Sequence, residues 1–254
     1  MIKIENIEVS GWEAAIRGMR NPMNSWEKSD SFIGCYKNGD CKNCFEWEQH
    51  NGCRGEDAEF VVGANDLDLM KRLANGGSVH AKYRCMIIVT CDITAPLYWW
   101  KEYDTYKVGT VANSCSTMHK IHSKEITIND FSFDDCFVPV DEAEVFAREM
   151  FMRHVEDCET MRKYYLMYAE KAKNEHFTEK ERKHFKMVAR HFWRRLIQMI
   201  PSSYNQRRTV QFSYENAAAM HNDRRNHKID EWHVFCDTLE SLPYANGIIY
   251  NIGG

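Results

Sequence analysis

The chain has 254 residues, 44% of them hydrophobic, enough to bury a substantial core as one large domain or one domain with an insertion. Its formal net charge of −4 gives no whole-protein attraction to nucleic acid or to an anionic membrane, and neither partner is expected, although a free nucleotide needs only a local cluster of cations. No apolar run reaches the ~20 residues that cross a bilayer, and the opening MIKIENIEVSGWEA has neither the basic start nor the apolar centre of a signal peptide, so the cytoplasm is the expected compartment.

Lys3 to Val9 alternates in the manner of a strand, and Gly11 to Met19 predicts a short helix that turns Trp12, Ala15, Ile16 and Met19 inward. Residues 21–57 are polar, rich in Gly, Asn and Cys and without periodicity, which marks an excursion from the main fold. Asn65 or Asp66 is placed to cap a helix through Leu73, ended by Asn75, Gly76 and Gly77. The apolar run Met86 to Val89 predicts a buried strand. Pro96 then sits where a helix begins, and Leu97 to Tyr106 presents Trp99, Trp100 and Tyr103 on neighbouring positions around it. Gly109, Asn113, Ser114, Ser116 and Thr117 are expected to follow as a loop rich in hydrogen-bonding groups.

Glu125 to Phe137 alternates loosely, as a short strand or an irregular segment, before a long helix over Asp141 to Lys171. Asp141 and Glu144 form a capping pair for that helix, and Val145, Phe146, Met150, Phe151, Cys158, Met161, Tyr165 and Tyr168 are its candidates for burial. Thr178 and Glu181 make a capping box for a second helix, whose Phe185, Ala189, Phe192, Trp193, Leu196, Ile197 and Ile200 follow the helical period until Pro201. Arg207 to Phe212 has the composition of a strand, and Tyr214 to Arg224 and Asp230 to Leu239 read as two more helices. The sum is an α/β chain of the α+β type, with a mixed sheet and long helices but without regular βα alternation. No Gly-x-Gly-x-x-Gly or Walker sequence is present, which argues against a Rossmann or P-loop enzyme.

Arg207, Arg208, Arg224, Arg225 and Lys228, interleaved with Asn205, Gln206, Asn226 and His227, make either an anion site or a solvated basic face. Trp99, Trp100, Tyr103 and Tyr106 suit either stacking on a planar heterocycle or packing in a core. Asn113 and Ser116 have the chemistry to bond a ligand, and equally to bond the local backbone. Cys35, Cys41, Cys44 and Cys53, with His50 nearby, form C-x5-C-x2-C-x8-C in the polar excursion. Four thiolates around zinc would staple a segment with almost no apolar anchors; unligated thiols are the alternative, and disulfides fit a reducing compartment less well. The remaining cysteines are scattered singly among core-like segments, as small buried hydrophobes usually are.

The stretch Ile93 to His119 resembles the signature of the flavin-dependent thymidylate synthases, in which a strand ending in Ala-Pro leads through a helix into Arg-His-Arg-x-x-Ser-x-Asn-x-x-Ser-x-Arg. Counted from Ala95, the family's Arg-His-Arg falls on Thr105, Tyr106 and Lys107, the preceding Gln on Glu102, and, after one inserted residue, Asn113 and Ser116 keep the Asn-x-x-Ser spacing while Met118 replaces the last Arg. RRNHKIDEW, Arg224 to Trp232, repeats the spacing of the family's Arg-x-Asp-x-His-Ala-Gln-Trp segment, with Arg225 and Trp232 in register. His80 stands where the family's His-x-Thr-Pro-Phe-Glu-His loop begins. The likeness runs from about Ala64 to Leu242.

The resemblance implies one domain over residues 1–254, with 21–57 as a Cys-rich insertion, and flavin-dependent methylation of dUMP to dTMP. In that chemistry reduced FAD supplies hydride, methylene-tetrahydrofolate the carbon for C5 of dUMP, and NADPH the electrons, at sites formed between subunits of a homotetramer. By the same resemblance, His80, Lys107 and Asn113 contribute to the cofactor site, Glu102, Ser116 and Arg225 hold the nucleotide, and Arg225 is the catalytic candidate. Lys107, Asn113 and Ser116 are then expected to share a cleft with His80 and Arg225, within or between subunits, with Trp99 or Tyr103 supporting its wall. Loss of two of the triplet's cations keeps a non-catalytic nucleotide-binding or interaction protein of the same fold as the alternative, beside a zinc-supported protein-binding module in an unrelated fold.

Overall fold

The computed structural model describes residues 2–35, 39–40, 58–133 and 142–253. The chain opens with strand β1 (Lys3–Ser10) and helix α1 (Trp12–Arg20), whose Trp12, Ala15, Ile16 and Met19 are buried as the helical spacing requires. Gly11 between them has φ +91°, and a Cβ there would lie 2.0 Å from the Met86 carbonyl oxygen, so only glycine fits.

The polar excursion contains regular structure at its base. β2 (Phe32–Cys35) pairs antiparallel with both β3 (Gly39–Asp40) and β4 (Ala58–Val61), and Cys35 lies opposite Ala58. β2 therefore lies between β3 and β4 in this small sheet. Cys41, Cys44 and Cys53 of the proposed metal set lie outside the described residues, as does Asp141.

Helix α2 (Ala64–Asn75) starts before the expected cap positions, with Asn65 and Asp66 inside its first turn, and is capped differently. The Asp30 carboxylate, more than thirty residues earlier, accepts from the first-turn N–H groups of Asn65 (2.8 Å) and Asp66 (3.0 Å). Gly63 leaves room for that carboxylate, since a Cβ at Gly63 would come within 2.2 Å of the Asp30 side chain. Asp66, expected as a possible cap, is instead fully buried. It accepts Arg20 Nε at 2.6 Å on one oxygen and the Ser29 and Ser31 hydroxyls, each at 2.6 Å, on the other. Burial raises its pKa, but these donors outweigh burial and hold the carboxyl below its ordinary value.

β5 (Ile88–Pro96) extends the apolar run to the proline, and α3 (Leu97–Tyr103) begins immediately after it. α3 ends earlier than the composition suggests, with the Thr105 hydroxyl donating to the Glu102 carbonyl at 2.7 Å. β6 (Val111–Ser114) occupies the segment expected as a loop, because pairing with a neighbouring strand overrides the low strand preference of Asn and Ser. A short α4 (Thr117–Lys120) follows, then α5 (Glu142–Lys171) and α6 (Glu179–Met199), the latter opened by the Thr178–Glu181 capping box read from the sequence. β7 (Asn205–Ser213), α7 (Tyr214–Arg224) and α8 (Asp230–Glu240) complete the regular structure. Strands β1, β5, β7 and β6 are hydrogen-bonded in that order.

The chain divides into two compact units. The first comprises Met1–Lys3, Ile93–Thr105 and Asn113–Thr209. Its core joins Ile121, Ile126, Phe131, Val155, Cys158, Leu196 and Tyr204, with Leu97, Phe151 and Ile197 packed against it. On α5, Phe146 and Met150 are exposed rather than buried, so the inward face of this helix starts later than its apolar pattern implies. The second unit comprises Ile4–Asp92, Tyr106–Ala112 and Val210–Gly254, and buries Trp12, Met70, Tyr83, Phe212, Tyr214, Trp232 and Phe235. There the Arg84 guanidinium reaches the Glu215 carboxylate at 2.6 Å and the Ile248 carbonyl at 3.0 Å.

Candidate functional site

The aromatic run of α3 is core. Trp99, Trp100 and Tyr103 are 0%, 1% and 2% exposed, and pack on one another with ring centroids 4.9 to 5.3 Å apart. Their faces are occupied, which removes them as a stacking surface for flavin or pyrimidine. The Trp100 indole N–H donates to the Gln206 carbonyl at 2.9 Å, and the Arg208 guanidinium lies 4.2 Å from its ring centroid. Arg208 also donates to Asp104 at 2.7 Å and to the Gln206 side chain at 2.9 Å, so this member of the basic cluster is a structural clamp. Gln206 continues the clamp by donating to the Cys115 carbonyl at 2.8 Å.

In the same unit, Ser116 caps α4 by accepting the His119 N–H at 3.0 Å, the local backbone role that serine commonly takes. Asn113 is exposed on β6, and Glu102 is part-buried near the end of α3.

The second unit brings together two segments over one hundred residues apart. Tyr106, which falls on the histidine of the family triplet, donates to Asp223 at 3.1 Å and accepts Arg224 Nε at 3.0 Å. The Arg224 guanidinium also lies 5.1 Å from the Trp232 ring, and the Tyr106 and Trp232 centroids are 6.3 Å apart. Burial raises the Tyr106 pKa against the opposing pull of Arg224, so the phenol stays protonated at neutral pH. Asn216 holds the intervening loop by donating to the Val108 carbonyl at 2.8 Å.

Arg225, the principal nucleotide candidate, is half-exposed at the end of α7. It pairs with Asp237 and approaches Glu240, at 3.4 Å, and the hydrogen bond it donates to Asp237 is the main cause of its raised pKa. Glu240 also meets His221 at 2.8 Å. Lys107 and His80 are exposed. Among the described residues no hydrogen bond or ion pair joins any two of His80, Lys107 and Arg225.

These residues fit a flavin pyrophosphate poorly at the triplet. Thr105 and Tyr106 bond the protein itself, which leaves Lys107 as the single cation of three positions. Among the described residues, no group of three or more His, Cys, Asp and Glu side chains is placed to hold a metal ion, and no helix is long and apolar enough to cross a membrane.

No protein-family model matches the chain, and no curated protein matches it in sequence. Solved structures do match its fold. One is the flavin-dependent thymidylate synthase ThyX from Helicobacter pylori complexed with FAD and dUMP, with a TM-score of 0.56 and 12% identity over 98% of each chain. Another structure of Helicobacter pylori ThyX with FAD and dUMP gives a TM-score of 0.53 and 13% identity over 99% of this chain and 98% of that one. The meeting of Tyr106 with the segment before Trp232 and the nearly full-length match agree: the chain resembles the flavin-dependent thymidylate synthases and has their mixed α/β fold.

Proposed function

We propose that this chain is a nucleotide-modifying enzyme whose activity is flavin-dependent methylation of dUMP to dTMP, or a close variant, with FAD as cofactor and methylene-tetrahydrofolate and NADPH as co-substrates. The observation that carries this reading is the match of fold along 98% of the chain to a protein solved with both FAD and dUMP. A second reading, a nucleotide-binding or interaction protein without catalysis, is favoured by the triplet's single cation and by the pairing of Arg225 with the chain's own carboxylates. The visible absorption spectrum of the purified chain, reconstituted with FAD and separated from free flavin, decides between them. Retained flavin bands together with dTMP formation support the enzyme; a colourless protein that binds dUMP supports the second reading.

Arg225 is the proposed nucleotide ligand. Turning from Asp237 and Glu240 to a nucleotide would exchange exposed ion pairs, worth about 0.2–1 kcal/mol, for charged hydrogen bonds worth about 1.5–3 kcal/mol. Arg225→Ala is accordingly expected to weaken dUMP binding about tenfold or more while the thermal midpoint stays close to the parent's. Titration calorimetry checks it, and equal affinity in the two proteins rejects the assignment.

A homo-oligomer, tetrameric by resemblance, is part of the proposal and is supported by exposed Phe146, Met150, Met152, Leu166 and Met167 on α5. Cytoplasmic location and a structural zinc are proposals on the sequence alone. If Cys35, Cys41, Cys44 and Cys53 hold zinc, elemental analysis of protein purified without chelator will find about one ion per chain, and Cys41→Ser will lower it by opening the tetrahedral shell. A fully folded, metal-free parent rejects the site.

A further inference from the structure

We infer that a cleft in the first unit, between α5, α6 and the segment around α4, is a second binding site, for a small anion that carries a flat apolar body. The cleft encloses about 700 Å³, within the ~300–1,000 Å³ range of small-molecule sites. It arises from unequal side chains along the hairpin. Tyr168 and Phe192 stack nearly parallel, 5.6 Å apart, and Tyr164 stacks on Phe192 at 5.0 Å, so bulky rings set the helix separation there. Where the facing residues shrink to Ala169, Ala172 and Ala189, the same separation leaves space.

Two aromatic residues wall this space. Trp193 is pinned by its indole N–H, which donates to the Met118 carbonyl at 3.0 Å, and Tyr165 meets the His122 ring with centroids 4.7 Å apart. Lys173, Lys186 and Arg190 supply the charge, and among the described residues no carboxylate lines the cleft. Two other cations of the hairpin are neutralised locally: Lys183 pairs with Glu179 at 2.7 Å and Arg162 with Glu159 at 2.7 Å. Among the described residues Lys173, Lys186 and Arg190 have no such partner. His122 adds no charge of its own, because burial and then the nearby Lys120 and Arg162 lower its pKa. Three uncompensated cations converging on aromatic and alanine walls match a ligand with a ring and an anionic group, the chemistry shared by nucleoside monophosphates and aromatic carboxylates or sulfonates. None of these residues belongs to the proposed dUMP site, so the inference stands apart from that reading.

The test uses 1-anilinonaphthalene-8-sulfonate, an aromatic sulfonate whose emission rises on binding, titrated into the full chain. One saturable site is expected. Arg190→Ala should weaken it by roughly tenfold, as loss of a charged hydrogen bond does, and Lys186→Gln should weaken it as well. Ala172→Phe, which fills the space and leaves the charges, should abolish it. Arg225→Ala should leave it unchanged, which separates failure here from failure at the dUMP site. Displacement by uridine monophosphate but not by benzoate assigns a phosphate-bearing ligand, and the reverse assigns a carboxylate. Parent affinity in folded Arg190→Ala and Ala172→Phe, or displacement by inorganic phosphate as effective as by either ring-bearing anion, overturns the inference.

Discussion

Replacing Asp66 with alanine is expected to destabilise the second unit by about 3–5 kcal/mol, the range for breaking a buried ion pair from one side. The carboxylate is fully buried and accepts from Arg20, Ser29 and Ser31, so its removal leaves the buried Arg20 guanidinium, among the described residues, with only the Ser25 carbonyl, at 3.1 Å, and the more distant Ser25 hydroxyl. It also unties the segment that carries Asp30, the cap of α2. Because folding lowers the Asp66 pKa, its contribution is whole above the pKa of an unfolded aspartate and is lost as pH falls through the lower folded value. Asp66→Asn should therefore be less stable at neutral pH and show a shallower decline in acid. Urea unfolding of the three proteins from neutral to acid pH measures both effects; a loss below ~1 kcal/mol for Asp66→Ala at neutral pH would make this cluster an ordinary surface pair.

Asp66 also marks what a sequence reveals and what it conceals. The capping box at Thr178 and Glu181 and the helical period that follows are local, so α6 is legible from its residues, as are α7 and most of α8. The cap of α2 comes from Asp30, and nothing in the spacing of either residue shows that they meet. β6 is hidden for the same reason, since Val111–Ser114 becomes a strand only through its neighbour in the sheet. The family resemblance brought Tyr106 and Arg225 into view, but not the contact between Tyr106 and Arg224 that ties the two segments. In the cleft, Lys186 and Arg190 sit four apart on one face of α6, a visible pattern. Their convergence with Lys173 depends on the alanines of the hairpin, which carry no such signal.

Trp100→Ala is the second large effect, expected to lower stability by about 3–5 kcal/mol, as truncation of a fully buried tryptophan usually does. Adjacent aromatic residues on a short helix read equally well as a ligand wall or as core, because spacing says which side chains are neighbours and not what covers them. The structure covers them with one another: Trp100 is 1% exposed, edge-on to Trp99 and Tyr103, and roofed by the Arg208 guanidinium. Truncation therefore opens a cavity, removes the donor to the Gln206 carbonyl and strips Arg208 of its aromatic platform while Asp104 still holds it. Trp100→Phe restores part of the volume without the N–H, and should recover part of the loss. A ligand-wall role makes the opposite forecast, with stability near the parent's and ligand affinity reduced. Thermal unfolding of Trp100→Ala and Trp100→Phe beside the parent, with flavin and dUMP titrations of whichever variant folds, separates the two, and a stable Trp100→Ala that has lost flavin would return α3 to the candidate site.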